Sequence, residues 1–561
     1  MTVRKIERAP SAYDYPLLIK NLFRHPLIHS PNREIVYRDQ MRYNYKSLRQ
    51  RIARLANALE SIGVRQGDVV GIMDWDSHRY LEAFFAVPMM GCVLHTINFR
   101  RPADHIVYTI NHAENTVLLV NEEFLPLLAS VWDRLDGKKK IVILADREIP
   151  ASGLSDTALE TEGEYEALLS RSSAEYSFPE FDENAMATLL YTTASAGTPK
   201  GVCFSHRQIV LHTFGIMAAL CAYQGRPMCS SGDVYMPLTP MFQVHAWGMP
   251  FLFTFLGAKQ VYPGKHDPDE IFRFIAAEGV TVSHCDPTLM HTLLNCPAIR
   301  KTDVFGWKVI VGGAPLPESI CRSALDYGIN ICSAYGMTET GPLLTTANLK
   351  SHMANWKTEK QIQIRCRTGL PAPMVELEIF DILGNPLPHD GKSIGEVVVR
   401  SPWLSQGYFK DPSKTGKLWA DGWLHTGDIG FVDSDGYLQI TDRFKDAIKT
   451  GGEWIASVEL EDLICQHPAV GEAAVTSVPD EKLGEKPIAF VVLKPGIDQE
   501  SAESDIRAFC MKYVENGTLP AYAVPDRIVI TDTIPRSGVG KISKRQMRQE
   551  FSQSFNLEDG P

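Results

Sequence analysis

Between Gly67 and about Gly336, short apolar runs alternate with stretches whose apolar positions recur every three or four residues. Asp68–Met73, Thr116–Val120, Lys140–Ala145 and Met186–Thr193 read as strands, and Tyr80–Met90 as a helix with one apolar face. A helix is predicted from about His206. Lys259–Tyr262 is a strand, Pro268–Glu278 a helix and Val280–His284 a strand. Trp307–Val311 and Pro317–Tyr327 repeat the strand–helix order. Alternation of this kind predicts an α/β fold of parallel sheets with helices on both faces.

After Gly369 the texture changes. Val375–Ile382, Gly395–Arg400 and Phe431–Thr441 are strand-like, with Gly, Pro and Asp turns between them, and predict a smaller β-rich subdomain. Beyond Asp442 come a helix near Val458–Gln466, strands near Glu472–Val478 and Ile488–Leu493, and a helix near Ala502–Tyr513. They predict a separate α+β domain of about a hundred residues, with a boundary near Arg443–Lys445. The predicted division is 1–443 and 444–561.

A chain of 561 residues exceeds a single ordinary domain, which agrees with that division. The net charge of −11 argues against a general nucleic-acid binder, which carries a basic face. It leaves a nucleotide site open, because backbone N–H groups and a few cations hold phosphates. The 11 cysteines include no C-x-x-C pair, so reduced thiols in a cytoplasmic protein are expected, and zinc is not. Met1–Ala12 lacks the apolar segment of a secretory signal. The most apolar run, Met249–Ala258, is about half the ~20 residues of a membrane span.

Several segments carry candidate chemistry. Tyr191-Thr-Thr-Ala-Ser-Ala-Gly-Thr-Pro-Lys-Gly201 lies between a predicted strand and helix. Glycines and small hydroxyl residues let such a loop wrap phosphate oxygens, and Lys200 adds charge. A plain turn explains it nearly as well. It is not a Walker A loop, and Gly538-Val-Gly-Lys541 fails the same test. Gly312-Gly-Ala-Pro-Leu316 and Tyr335-Gly-Met-Thr-Glu-Thr340 each end a strand, where ligands of parallel sheets sit. Further along come Gly395–Arg400 with Gly407-Tyr408, then Trp423-Leu-His-Thr-Gly-Asp428. Asp442-Arg-Phe-Lys-Asp-Ala-Ile-Lys-Thr-Gly-Gly-Glu-Trp454 and Pro535-Arg-Ser-Gly-Val-Gly-Lys541-Ile-Ser-Lys close the series.

Each motif is weak alone. Their ordered set, over nearly the whole chain, resembles the adenylate-forming superfamily of acyl-CoA synthetases, luciferases and peptide-synthetase adenylation domains. Gly452-Glu-Trp-Ile455 looks most like the short- and medium-chain acyl-CoA ligase branch. The resemblance implies a large N-terminal domain of two sheet subdomains plus a β-barrel-like one, and a small mobile C-terminal domain. It implies an acid:CoA ligase that forms an acyl-adenylate from ATP and then an acyl-CoA, with Mg²⁺ as cofactor.

Residue by residue, the resemblance places Thr192, Thr193, Ser195, Gly197, Thr198 and Lys200 on the β- and γ-phosphates. Gly313, Ala314, Pro315, Tyr335 and Gly336 would form the adenine slot. Asp428 and Arg443 would hold the ribose, Thr338 the α-phosphate and Glu339 the Mg²⁺. Lys541 would stabilise the charge that builds as a carboxylate attacks the α-phosphate. Lys445 would be the hinge, and Gly451 and Gly452 would line the pantetheine tunnel. Apart from the set, Arg443, Lys445, Asp428 and Glu339 read as ordinary surface, turn or helix-start charges. Lys544 and Arg545 read as a solvated basic tail.

Two departures stand out. Ala194-Ser-Ala-Gly197 replaces the usual Gly-Thr-Thr-Gly of the phosphate loop. In Pro240-Met-Phe-Gln-Val-His-Ala-Trp247, Gln243 stands where relatives commonly carry histidine, and His245, two residues on in a helical start, points elsewhere. Phe242, Gln243, His245 and Trp247 are candidate acyl-pocket residues, and core packing explains Phe242 and Trp247 equally well. An indole in the pocket would favour a compact acid (aromatic, alicyclic or short- to medium-chain). A long-chain fatty acid, or a carrier protein in place of CoA, is the alternative. Partners are small molecules, and a homodimer is an assembly the sequence leaves open.

Overall fold

A computed structural model of the chain describes residues 3–147, 159–192, 198–222, 227–443, 447–450, 453–455, 457–480, 484–497, 499–515, 519, 521–535 and 542–555. The chain divides into two compact units. One comprises residues 1–375 and 401–419, the other 376–400 and 420–561. The predicted boundary at 443/444 falls inside the second, beside residues 444–446, which lie outside the described residues.

The first unit holds two sheets. One runs, in spatial order, Gly163–Glu164, Lys140–Leu144, Asn115–Asn121, Val69–Met73, Val93–Thr96, Met186–Tyr191 and Gly201–Ser205. All pairs are parallel except the last. The other is parallel from Asn330–Gly336 through Lys308–Val311, Val282–Cys285, Val234–Pro237 and Lys259–Tyr262 to Glu34–Tyr37. Antiparallel strands Leu343–Thr346 and Met41–Asn44 flank this parallel run. Val69–Met73 is buried at every position, as an apolar strand covered on both faces must be.

Helices join the parallel strands, and local chemistry starts them. Ser205 and Gln208 form a capping box at the head of His206–Cys221. Asp267 accepts from the first free N–H groups of Pro268–Glu278, whose proline needs no donor there.

The helix predicted at Tyr80–Met90 runs His78–Met89, and its environment differs from expectation. It is buried all round, Arg79 and Glu82 included. Partners distant in sequence make this possible. Arg79 donates to Asp74 (3.2 Å), Asp146 (2.7 Å) and the Ala145 carbonyl (2.8 Å). Glu82 accepts from Arg51 (2.6 Å), Tyr43 (2.7 Å) and Tyr165 (2.6 Å).

In the second unit, Glu376–Phe380, Gly395–Arg400, Trp423–Val432 and Leu438–Arg443 form an antiparallel sheet. The predicted strand Phe431–Thr441 is instead the end of one strand, a turn and the next strand, as Asp433 and Gly436 dictate. A separate sheet centres on Gly484–Leu493. It pairs antiparallel with Val470–Asp480 and parallel with Arg527–Ile530. Helices Ser457–Cys465 and Gln499–Glu515 supply Leu460, Ile464, Ile506 and Cys510 to its core.

Glu82→Ala should lower the free energy of unfolding by about 2–4 kcal/mol, because it leaves the Arg51 guanidinium with Glu166 alone and takes the acceptor from the Tyr165 and Tyr43 hydroxyls. Urea titration of both chains measures this.

Candidate active site

The carboxyl ends of the parallel strands carry the predicted motifs. Thr192 follows Met186–Tyr191, Gly312–Pro315 follows Lys308–Val311, and Thr338–Thr340 follows Asn330–Gly336. A cavity of about 40 Å³ opens between the ends of the two sheets. It is lined by Thr96, Arg101, Tyr191, Thr192, Gln243 and Thr338, among others. Strand ends at such reversals of strand order are where open α/β sheets bind ligands.

Thr192 and Lys200 hydrogen-bond each other at the two ends of the segment predicted to hold phosphates. The Thr192 N–H donates to the Lys200 carbonyl at 2.9 Å, and the Lys200 N–H to Thr192 Oγ1 at 3.3 Å. Thr193, Ser195 and Gly197 lie outside the described residues, while Thr198 is exposed beside Lys200. Lys200 Nζ donates to the Tyr408 hydroxyl at 2.9 Å, and that hydroxyl donates to Glu339 Oε1 at 2.6 Å. Partial burial lowers the Lys200 pKa, and the negative charge of Glu339 partly offsets this. Burial raises the Tyr408 pKa, with Glu339 adding to the rise, so the phenol stays protonated.

Glycine is required at two points here. A Cβ on Gly336 would sit 1.5 Å from the Pro342 carbonyl oxygen. Gly313 has φ of +80°, in the left-handed region. Gly313, Ala314 and Pro315 form an exposed loop, and Tyr335 ends its strand half-buried. Thr340 Oγ1 accepts from the Met337 N–H at 3.0 Å and donates to the Pro342 carbonyl at 2.7 Å, fixing the turn that presents Thr338 and Glu339.

Glu339 is 5% exposed, with one oxygen engaged by Tyr408. Among the described residues no three His, Cys, Asp or Glu side chains converge on a metal position. A lone carboxylate suits Mg²⁺ that takes its other ligands from phosphates and water.

The predicted acyl-pocket residues separate. Phe242 and Gln243 line the cavity. His245 and Trp247, 2% and 6% exposed, face the interior instead. Trp247 belongs to a core cluster with Met249, Leu252 and Ile310, and its indole covers Gly312, where a Cβ would meet Cη2 at 3.0 Å.

The helical start expected around His245 is left-handed. Val244, His245, Ala246, Trp247 and Gly248 have φ of 48°, 53°, 47°, 60° and 74°. Each non-glycine residue in this region costs about 1–2 kcal/mol, so the surroundings must impose the turn. Burial of its four side chains does so. Two hydrogen bonds pin the approach: the Met241 N–H donates to Asp76 Oδ1 at 2.7 Å, and Thr96 Oγ1 to the Phe242 carbonyl at 3.0 Å. Burial drives the His245 pKa down to about 3, so its imidazole is neutral.

Asp76, Thr96, Arg101 and Tyr408 were not among the predicted site residues. Acidic residues straight after an all-apolar strand (Asp74-Trp-Asp76) and arginines after the next (Arg100-Arg101) are the signals that could have pointed to Asp76 and Arg101, while Thr96, the last residue of its strand, carries none. Tyr408 lay within a quoted motif, but only the fold brings it to Lys200.

In the second unit, Asp428 and Arg443 are register partners on adjacent strands, with Arg443 Nε 3.4 Å from Asp428 Oδ1. Asp428 is 7% exposed, whereas the Arg443 side chain projects outward. Lys544 is not a solvated tail residue. Its side chain is 10% exposed, pairs with Glu461 at 2.7 Å and hydrogen-bonds Ser457, which in turn bonds Asp442. Burial of its helix against Val470–Asp480 forces that pairing. Lys445, Gly451, Gly452 and Lys541 lie outside the described residues.

Fold and site together define an enzyme that handles a nucleotide at the carboxyl ends of parallel strands. The chain matches the models of the AMP-binding enzyme family over residues 23–409 and of the AMP-binding enzyme C-terminal domain over 459–541, and it belongs to that family. It is 36% identical over 519 residues to a long-chain-fatty-acid–CoA ligase of Thermus thermophilus, covering 92% of this chain and 91% of the relative. It is 36% identical over 554 residues to a 3-methylmercaptopropionyl-CoA ligase of Ruegeria lacuscaerulensis, covering 96% and 98%. In fold it is similar to ATP-bound MatB from Rhodopseudomonas palustris, with a TM-score of 0.75 and 24% identity over 95% of this chain and 98% of that one. The anthranilate CoA ligase AuaEII in complex with anthranoyl-AMP gives the same TM-score and identity, over 96% and 98%.

Thr96→Val should raise KM for the acid by about three- to tenfold, the worth of one lost hydrogen bond, Asp76→Ala, which loses the contacts to Met241 and His266, by more, and both should leave KM for ATP near its starting value. Steady-state kinetics with each substrate varied in turn checks the split.

Proposed function

We propose that the protein is an ATP-dependent carboxylic acid:CoA ligase of the AMP-forming kind. The observation that carries this reading is that Thr192 and Thr338, at two strand ends, line one cavity, while Lys200 and Glu339, next to lining residues Pro199 and Thr338, are joined through Tyr408. Relatives named as CoA ligases, aligned over more than nine-tenths of both chains, support CoA as acceptor.

In the first step a carboxylate oxygen of the acid attacks the α-phosphorus of ATP, and pyrophosphate leaves. Lys200 and the phosphate loop hold the β- and γ-phosphates, Thr338 meets the α-phosphate, and Lys541 stabilises the charge that accumulates as two anions meet. Glu339 would hold Mg²⁺, which would supply positive charge against the phosphates when bound. Gly313–Pro315 and Tyr335 take the adenine, and Asp428 and Arg443 the ribose. In the second step the CoA thiolate attacks the acyl carbonyl and AMP leaves. A division into residues 1–443 and 444–561, with rotation about Lys445, serves this step, and Gly451 and Gly452 leave room for the pantetheine arm. Chemically the sequence of steps runs in both directions.

A compact acid is the favoured substrate. The relative named as a 3-methylmercaptopropionyl-CoA ligase supports this, and the one named as a long-chain-fatty-acid–CoA ligase supports the long-chain alternative.

Pyrophosphate exchange with benzoate, cyclohexanecarboxylate, hexanoate and palmitate tests the reading: ATP labelling should depend on the acid, and an enzyme inert with every acid would end it. A preference for palmitate would remove the compact-acid assignment, and an unaltered profile in Trp247→Ala would give the tryptophan to packing alone. Lys541→Ala should abolish exchange and spare thioester formation from supplied acyl-adenylate. Lys445→Pro, which fixes φ near −65°, should spare exchange and depress thioester formation.

A further inference from the structure

Lys200 and Glu339 carry opposite charges and reach the same tyrosine hydroxyl, yet among the described residues no direct ion pair joins them. The Tyr408 hydroxyl stands between them, 2.9 Å from Lys200 Nζ and 2.6 Å from Glu339 Oε1. An ammonium has only donors and a carboxylate only acceptors. The single phenolic proton is therefore given to Glu339, and the phenol oxygen accepts from Lys200. Lys200 Nζ also lies 4.2 Å from the centre of the Tyr408 ring, which attracts the cation by its quadrupole.

The phenol is held there by its backbone. Tyr408 forms a bridge with Val202, and the Phe409 N–H donates to the Gly201 carbonyl at 2.8 Å. Gly201 sits against Phe409 Cβ, 3.0 Å from where its own Cβ would be. The Tyr408 N–H donates to Thr415 Oγ1 at 2.9 Å. The Ser405 N–H donates to the Glu339 carbonyl at 2.9 Å, so the segment is tied to both the phosphate-loop strand and the glutamate turn.

We propose that Tyr408 is a positioning residue that keeps Lys200 and Glu339 from collapsing into a salt bridge, leaving the ammonium for phosphate and the second carboxylate oxygen for a divalent cation. The inference rests on the reading of the site as a Mg²⁺·ATP site. A phenol suits the task because it satisfies one donor of the lysine and one acceptor of the glutamate without adding a charge. Without it, two partly buried opposite charges would attract strongly in a poorly screened site.

The test is cation binding. Mn²⁺ affinity is measured from the free-Mn²⁺ resonance signal with a saturating non-hydrolysable ATP analogue, for wild type, Tyr408→Phe, and Tyr408→Phe with Lys200→Met. Tyr408→Phe should weaken Mn²⁺ binding about tenfold, as loss of a charge-assisted hydrogen bond and the new pairing require. Removing the lysine as well should return affinity to within about twofold of wild type, because nothing then competes for Glu339. Wild-type affinity in Tyr408→Phe would overturn the proposal. So would a double variant as weak as the single one, since that would make the tyrosine a packing residue only. The half-saturating Mg²⁺ in pyrophosphate exchange should follow the same order. Absence of exchange in wild type itself would strike the ligase reading instead, and the Mn²⁺ comparison would still stand.

Discussion

The site depends on the burial of charge between Asp74 and Glu82. This segment leaves the fully apolar Val69–Met73 strand and enters a helix that the interior surrounds. Charges there are tolerated only if fully paired. Arg79 therefore binds Asp74 and Asp146, and Glu82 binds Arg51, Tyr43 and Tyr165. Most of these pairings join residues 31 to 83 positions apart, and Arg51 goes on to pair with Glu166, 115 positions away. Asp76, in the same segment, reaches into the other half of the unit to hold the Met241 N–H and His266. Charge burial thus locks the two sheets to each other at the edge where their strand ends form the cavity.

That lock explains how the chain sustains a left-handed turn at Val244–Gly248. L-residues reach this conformation only where the surroundings over-determine it. Here the entry is clamped by Asp76 and Thr96, and the exit is Gly248, where a Cβ would meet His212 Cε1 at 2.7 Å. The turn aims Trp247 inward over Gly312 and leaves Gln243 facing the cavity. Substitution of glutamine for the usual histidine at 243 thus changes a group that lines the site.

Sequence pattern revealed the α/β class and most elements, because strand and helix signals are local. Lys259–Tyr262, Pro268–Glu278 and Gly395–Arg400 have the predicted ends, each bounded by a cap, a glycine or a charge. The His78–Met89 helix was legible as a helix but not as a fully buried one, since its partners Asp146 and Glu166 lie far along the chain. The sign of φ at Val244–Trp247 leaves no trace in hydrophobic periodicity, so that turn read as a right-handed helix start. Lys544, in a basic run, read as solvent-facing, while its partners Glu461 and Ser457 come from a helix some eighty residues earlier. Motif order singled out the Thr192–Lys200 segment and the Thr338-Glu339 pair, whose described residues Thr192 and Thr338 line the cavity. It could not supply Tyr408, whose role follows from a strand contact at Val202.

The net charge of −11 appears unfavourable for a site that must gather ATP, an organic acid anion and CoA. Screening removes that difficulty. At physiological ionic strength exposed charges fade over about 8 Å, so distant carboxylates have little reach into the cavity. Arg101 lines the cavity and Lys200 follows the lining residue Pro199, and both are partly buried and so weakly screened. Burial lowers both pKa values, a measure of how unfavourable these cations are until an anion arrives. The phenol of Tyr408 spares Lys200 part of that cost without neutralising it. A neutral bridge leaves the ammonium its full charge, which a direct pair with Glu339 would largely cancel.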